Sequence, residues 1–328
     1  MVLLRPKTLL GVLTVTAVAS LGEPVRADQS EWPDSFTVGT ASQGGTYFVY
    51  GSGWTNLVSE ALGVNGSSEV TGGPVQNAAL IQTGELEMGM VTMGPAFDAL
   101  NGESALAPGL KHDKLRAMFP MYKTGFHMMA LANSGIDSFE TIPDGAVVGV
   151  GPAGGTPGTY WPRFFETLGK SVDVRHGGAA DLAGQLQDGL IDVFAFAAGL
   201  PFPAFSQVEA QADVNFFGFT DEQVATLVES QPVAPFSIPA DTYPSLTEDN
   251  ATVSMWNFAV ANADLPASFV YQVVDTVMGQ HKRMTEIHKA AVETVPENHD
   301  KNTFLPWHPG AVEWFEENGF EIADDLKG

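Results

Sequence analysis

The chain reads as an α/β protein built from two similar lobes, and three features predict it. First, a segment recurs. Thr71-Gly72-Gly73, a helix-like stretch to Gly84, the apolar strand Met88-Gly89-Met90-Val91 and Gly94-Pro95 form one copy. His176-Gly177-Gly178, a helix-like stretch to Gly189, Val193-Phe194-Ala195-Phe196 and Gly199-Leu200-Pro201 form the other. Gly73 and Gly178, Gly84 and Gly189, and Gly94 and Gly199 all stand 105 positions apart. Second, each copy is preceded by a strand that runs into another glycine-rich turn. Phe36-Thr37-Val38-Gly39 leads to Gly44-Gly45-Thr46-Tyr47, and Val147-Val148-Gly149-Val150 leads to Gly154-Gly155-Thr156. Third, strands alternate with helices, the pattern of mainly parallel sheets whose ligands sit at the carboxyl ends of strands. Two such lobes predict a ligand cleft between them.

The elements follow in order. Residues 28–35 form a short leader into the first strand. Thr46 to Leu62 is a helix, with Val49, Trp54, Leu57, Val58 and Leu62 at roughly helical spacing. Glu69-Val70-Thr71 is a short strand, Pro74 to Thr83 a helix with proline in its first turn, and Met88 to Val91 a buried strand. Leu115 to Ala132 is the first crossing between lobes, and Val253 to Val260 the second. The segment from Pro201 to Thr252 is proline-rich and less regular. Two long amphipathic helices, Pro266 to Gln280 and Gly310 to Asn318, close the chain. The resulting division is lobe one at 28–126 and 252–328, with lobe two at 127–251.

Composition bounds the function. At 328 residues, 44% apolar and 16% charged, the chain has the make-up of a globular protein with room for two cores. Arg5 and Lys7 precede an apolar run from Leu9 to Leu21, which is short for a membrane span, and Val25-Arg26-Ala27 suits cleavage after Ala27. Residues 1–27 thus read as a signal peptide for export. No cysteine is present, which excludes disulfides and a lipid anchor on such a signal. Without residues 1–27 the balance is 12 basic against 38 acidic side chains, a net −26 that argues against nucleic acid and anionic lipid surfaces.

The glycine turns carry the candidate chemistry. Glycine lets backbone approach a ligand, and the exposed amides of a helix's first turn favour an anion. Thr46, Thr156 and Thr159 could each donate a hydroxyl to a carboxylate or cap a helix. Tyr47 and Phe196 could line a pocket wall, whereas Trp161 and Phe97 read as core. Arg163 and Arg175 lie near the expected mouth, as a carboxylate clamp or as partners of neighbouring acids. The lobe-two turn, lengthened by Pro157-Gly158, matches neither a P-loop nor a dinucleotide fingerprint. The histidine spacings match no zinc pattern, and neither a metal nor a cofactor is expected.

The same residues give the chain a resemblance to a known family. It resembles the TAXI group of extracytoplasmic solute-binding proteins, which serve tripartite ATP-independent periplasmic (TRAP) transporters. The matches run in order along the chain: Val38 to Tyr47; Thr71-Gly72-Gly73 with Asn77 and Gly84-Glu85; Leu115-Arg116-Ala117; and Ser134-Gly135-Ile136. They continue through Asp188-Gly189 with Ile191-Asp192, Ala198-Gly199 with Pro201, Pro239-Ala240 with Tyr243-Pro244, and His308-Pro309-Gly310-Ala311. The resemblance implies an α/β two-lobed periplasmic-binding-protein-like fold of type II. Each lobe would be a mainly parallel sheet flanked by helices, joined to the other by a two-strand hinge. It also implies a periplasmic, monomeric receptor that delivers a small organic anion to a membrane permease with fused subunits. Solute contacts would fall on Ser42, Gly44, Gly45, Thr46, Tyr47, Gly73 and Asn77 in lobe one. In lobe two they would fall on Gly155, Thr156, Ala198 and Gly199. Where relatives carry a polar and then an acidic residue after the strand at Met90, this chain has Thr92 and Gly94. The anion implied is a dicarboxylate such as 2-oxoglutarate or glutamate, and that departure leans toward a keto or simple dicarboxylate over an amino acid. An exported enzyme is the alternative, with His127 and His176 the nearest titratable groups; an ATP-driven importer or sensor kinase is a third possible setting.

Overall fold

Two β-α-β-α-β runs, each capped by one long crossing strand, make up the computed structural model, which describes residues 29–328 and Val2. The first run is β1 (Ser35–Gly39), α1 (Thr46–Leu62), β2 (Asn65–Glu69), α2 (Pro74–Thr83) and β3 (Met88–Thr92), followed by α3 (Met93–Asn101). β1 lies between β2 and β3 and is parallel to both. After β4 (Leu115–Leu131) comes the second run: β5 (Ala146–Gly149), α4 (Thr156–Thr167), β6 (Val172–Arg175), α5 (Ala179–Gln187) and β7 (Val193–Ala198). Here β5 lies between β6 and β7, again parallel to both. The registers correspond, since Val38 pairs with Met88 and Val148 with Val193. Gly45 and Gly155 are 110 positions apart, whereas the later glycines are 105 apart. The difference is taken up by the intervening helix, 17 residues long in α1 and 12 in α4.

α6 (Pro203–Glu209), β8 (Val214–Phe217), α7 (Asp221–Ser230) and β9 (Ala234–Ile238) lead to β10 (Asn250–Asn262). β4 and β10 run antiparallel through both halves of one continuous sheet. Near Leu115–Phe119 and Phe258–Asn262 they extend the first run, where β10 pairs with β3. Beyond Gly125, β4 pairs with β7 and β8, while β10 below Ser254 pairs with β9. The apolar cores part at the same place: one draws on Phe36 to Tyr122 and Phe258 to Ile322, and the other two on residues between Phe126 and Met255. The lobes are therefore joined by two strands, the architecture of the predicted fold class.

α8 (Ala267–Gly279) shows why the first core holds. Phe269, Val270, Val273, Val274 and Val277 recur on one helical stripe and are all fully buried. Each such side chain contributes about 1.5–3 kcal/mol relative to exposure. α9 (His281–Ile287) and α10 (Pro309–Glu317) complete the chain.

Four expectations need correction. The strand near Val70 lies earlier, at Asn65–Glu69; it is a polar edge strand with no apolar alternation, placed by pairing with β1. The proline-rich region is regular, because its prolines punctuate elements: Pro203 opens α6 and Pro235 lies in the short strand β9, while α7 starts in a capping box between Thr220 and Gln223. A further helix, α9, lies between the two expected to close the chain, and the last of these keeps its expected span, shifted by one residue. Phe97 is 45% exposed and meets Phe304 edge-on, since α3 turns that face outward. Trp161 is core as expected. The predicted signal peptide lies outside the described residues.

Candidate functional site: an enclosed interlobe cavity

The carboxyl ends of β1, β3, β5 and β7 converge on the gap between the lobes, and each glycine turn opens a helix there. Gly45 caps α1 and Gly155 caps α4, both in extended conformation and neither helped by a side-chain cap. The first-turn amides of these helices lack intrahelical acceptors by construction. Both N-termini line one small cavity of about 40 Å³.

The structure brings ten of the predicted residues to that cavity: Ser42, Gly45, Thr46, Tyr47, Gly73 and Thr92 from one lobe, and Gly155, Thr156, Phe196 and Ala198 from the other. Four lie off it. Gly44 has φ +81°, and a Cβ there would stand 3.0 Å from the Ala180 amide; its carbonyl accepts from Ala204 N–H instead. Gly199 accepts the Thr46 hydroxyl at 2.8 Å. Thr159 bonds back to the Gly155 carbonyl within its own helix. Asn77 is fully buried and wholly engaged: its Nδ2 faces the carbonyls of Gly39, Thr40 and Met90, and its Oδ1 accepts from Thr71. It ties the ends of β1 and β3 together and presents nothing to a solute.

The lobe-two turn is not lengthened. Pro157 and Gly158 belong to the first turn of α4, and the turn matches its lobe-one counterpart residue for residue. Neither arginine clamps the cavity. Arg163 pairs with Asp98 at 3.5 Å while lying over the Tyr160 ring, and Arg175 bonds Gln185 and the Leu190 carbonyl. Burial raises the Asp98 carboxyl above its ordinary value, and Arg163 opposes that rise.

The N-termini of α2 and α5, also opened by glycine turns, are spent on closure. Val75 and Gln76 N–H donate to the Gly154 carbonyl at 3.0 and 3.3 Å. In the mirrored arrangement Ala180 N–H donates to the Gln43 carbonyl at 3.1 Å, and Ala179 N–H to Ser42 Oγ at 3.1 Å. Each lobe thus grips the opposite glycine turn with a helix N-terminus. With the bonds at Ala204, Thr46 and Thr92, each contributing about 0.5–1.5 kcal/mol, this clasp offsets part of the cost of bringing the lobes together.

The floor is a hydroxyl network on the crossing strands. Tyr47 donates to Asn257 Oδ1 at 2.6 Å, Thr92 meets the same oxygen at 3.1 Å, and Asn257 Nδ2 reaches Thr124 Oγ1 at 2.7 Å and the Tyr122 carbonyl at 2.6 Å. Thr92 and Thr156 then join the lobes at 2.7 Å. Burial pushes the Tyr47 hydroxyl well above its ordinary range, so it stays a neutral donor. Thr124, which lines the cavity, and its hydrogen-bond partner Asn257 escape sequence reading, being single polar residues in strands that only the fold brings together. His127 and His176 do not line it. His127 Nδ1–H donates to the Gly125 carbonyl and its Nε2 accepts from Tyr243, while His176 bonds the Gly151 carbonyl.

A small cavity between two α/β lobes joined by a two-strand hinge defines the class: the architecture of the periplasmic binding proteins. Residues 38–319 match the NMT1-like family, and the chain belongs to it. Similar folds occur in the periplasmic binding protein BugD, 13% identical with a TM-score of 0.58 over 88% of this chain and 99% of that one. A structure described as a periplasmic transporter is 16% identical, with a TM-score of 0.56 over 86% and 92%. MatC from Rhodopseudomonas palustris, with bound malate, is 13% identical, with a TM-score of 0.55 over 86% and 95%.

Proposed function

We propose that the chain is the extracytoplasmic solute receptor of a tripartite ATP-independent periplasmic transporter, of the TAXI group. It is exported with cleavage after Ala27, works as a monomer, and passes a small organic anion to a membrane permease with fused subunits. Lobe one is 28–126 with 252–328, and lobe two is 127–251. The observation that carries the reading is the closed cavity into which the N-termini of α1 and α4 open from opposite lobes. Only a closed form lets both lobes touch one solute, so binding and closure are coupled. The motifs in order from Val38 to Ala311 favour the TAXI group, whose members are associated with small carboxylates including glutamate and 2-oxoglutarate. MatC with malate and the adipate-bound R. palustris protein are compatible with a carboxylate.

The test is native mass spectrometry of the exported protein, purified without added solute, to identify the molecule that travels with it. A carboxylic acid supports the reading. A sugar, a cationic amine or a metal chelate overturns it.

A further inference from the structure

The cavity is uncharged. Among the described residues none of its lining side chains is Asp, Glu, Lys, Arg or His; the walls are instead Ala41, Pro74, Pro152, Pro157, Phe196 and Ala197, with the threonine floor between them. We infer that the solute is a compact monocarboxylate of two to four carbons with an apolar end, and that dicarboxylates and zwitterionic amino acids are rejected. This rests on the organic-anion reading above and narrows it.

Three observations converge. The first is size. The cavity is small, about 40 Å³, which favours the shortest acids. A five-carbon dicarboxylate would have to force the clasp of Val75, Ala179 and Ala180 apart. The second is charge. Each helix N-terminus acts as roughly half a positive charge, so α1 and α4 together offset about one carboxylate, and no side-chain cation stands by for another. A second buried carboxylate would lose its hydration without a partner. An ammonium group would meet the same positive helix ends and no anion.

The third is the disposition of hydroxyl protons. Tyr47 is committed to Asn257, Thr46 to the Gly199 carbonyl, Thr92 to Asn257 and Thr156 to Thr92. Ser42 differs. It is 9% exposed and lines the cavity; its Oγ accepts from Ala179 N–H, while its own proton has no acceptor among the described residues. One free hydroxyl donor beside two helix N-termini makes one carboxylate site. The Phe196 ring and the prolines then cover an apolar remainder.

The experiment is calorimetry on the full chain, stripped of solute by unfolding and refolding, against acetate, propionate, butyrate and pyruvate. The same titrations are run with succinate, malate, 2-oxoglutarate and glutamate. A monocarboxylate should bind at least tenfold more tightly than any dicarboxylate or amino acid, a gap of about 1.4 kcal/mol. A dicarboxylate binding as well or better overturns this inference and leaves the receptor reading standing. Heat from none of the eight, with the refolded chain giving a cooperative melt, overturns both. Ala198→Leu, which fills the cavity, should abolish monocarboxylate binding while the melting transition stays in place; retained binding would put the site elsewhere and overturn the assignment.

Discussion

Thr92 and Thr156 share a hydrogen bond of 2.7 Å across the gap between the lobes. Thr92 ends β3 and Thr156 begins α4, and both line the cavity, so this bond forms only when the lobes are together. Thr156→Val keeps the shape and removes the bridge, while Thr92 can still donate to Asn257. Solute affinity should fall about fivefold, the loss of about 1 kcal/mol, with little change in melting temperature. Unchanged affinity would show that the bridge does not report on closure.

Gly155 offers a sharper test of the same movement. Its backbone is extended, a conformation open to any residue, yet an added Cβ would stand 2.9 Å from the Gly72 carbonyl of the opposite lobe. Gly155→Ala should therefore spare folding but hold the lobes apart. Affinity should drop tenfold or more, and small-angle scattering should show the variant more extended than the parent at saturating solute. A variant that closes normally would mean the turns do not meet in solution.

The ion pair between Asp98 on α3 and Arg163 on α4 is an ionic interlobe contact outside the cavity. Arg163 is 41% exposed, so the pair contributes at most about 1 kcal/mol and is weakened by salt. Asp98→Asn should reduce solute affinity less than fivefold at low salt and hardly at all in half-molar salt. Equal effects at both salt concentrations would rule out an electrostatic latch.

Acid should loosen the fold through two histidines. Burial pushes His127 and His308 from 6.5 down to about 4. His127 takes the Tyr243 proton on Nε2, and His308 accepts Gly310 N–H on Nδ1 to cap α10, so neither has room for a second proton. Both stay neutral in the fold but charge once unfolded, so their effect appears only below pH 6.5. Stability falls as pH drops from about 6.5 to about 4, by about 3 kcal/mol per histidine over the whole window. Denaturant titrations at pH 7, 5.5 and 4.5 measure this. His308→Asn, which keeps a capping oxygen, should flatten part of the slope; a profile flat from pH 6.5 to 5 would contradict the assignment.

Much of the fold was legible because glycine, proline and apolar residues mark ends of elements. Pro74 and Gly84 bracket α2, and β3 is a run of buried residues between the turn at Gly84 and the start of α3. The repeat exposed the two lobes because the same turn geometry is needed twice. Reading failed where long-range pairing decides. The polar strand Asn65–Glu69 exists because β1 offers an edge, and Asn257 meets Thr92 and Thr124 because β10 lies between β3 and β4. The glycine motifs also concealed a division of labour. α1 and α4 open on the cavity, whereas α2 and α5 close the lobes, and no local residue pattern separates the two roles.

Hydrogen exchange at the amides of Val75, Gln76, Ala180 and Ala204 tests the central claim most directly, since each donates across the gap. In the stripped protein these amides should exchange rapidly. With the copurifying acid restored they should slow at least tenfold, while amides inside α8 remain unchanged. Equal exchange with and without the acid would mean that the lobes do not open and close around a solute, and the account would fall.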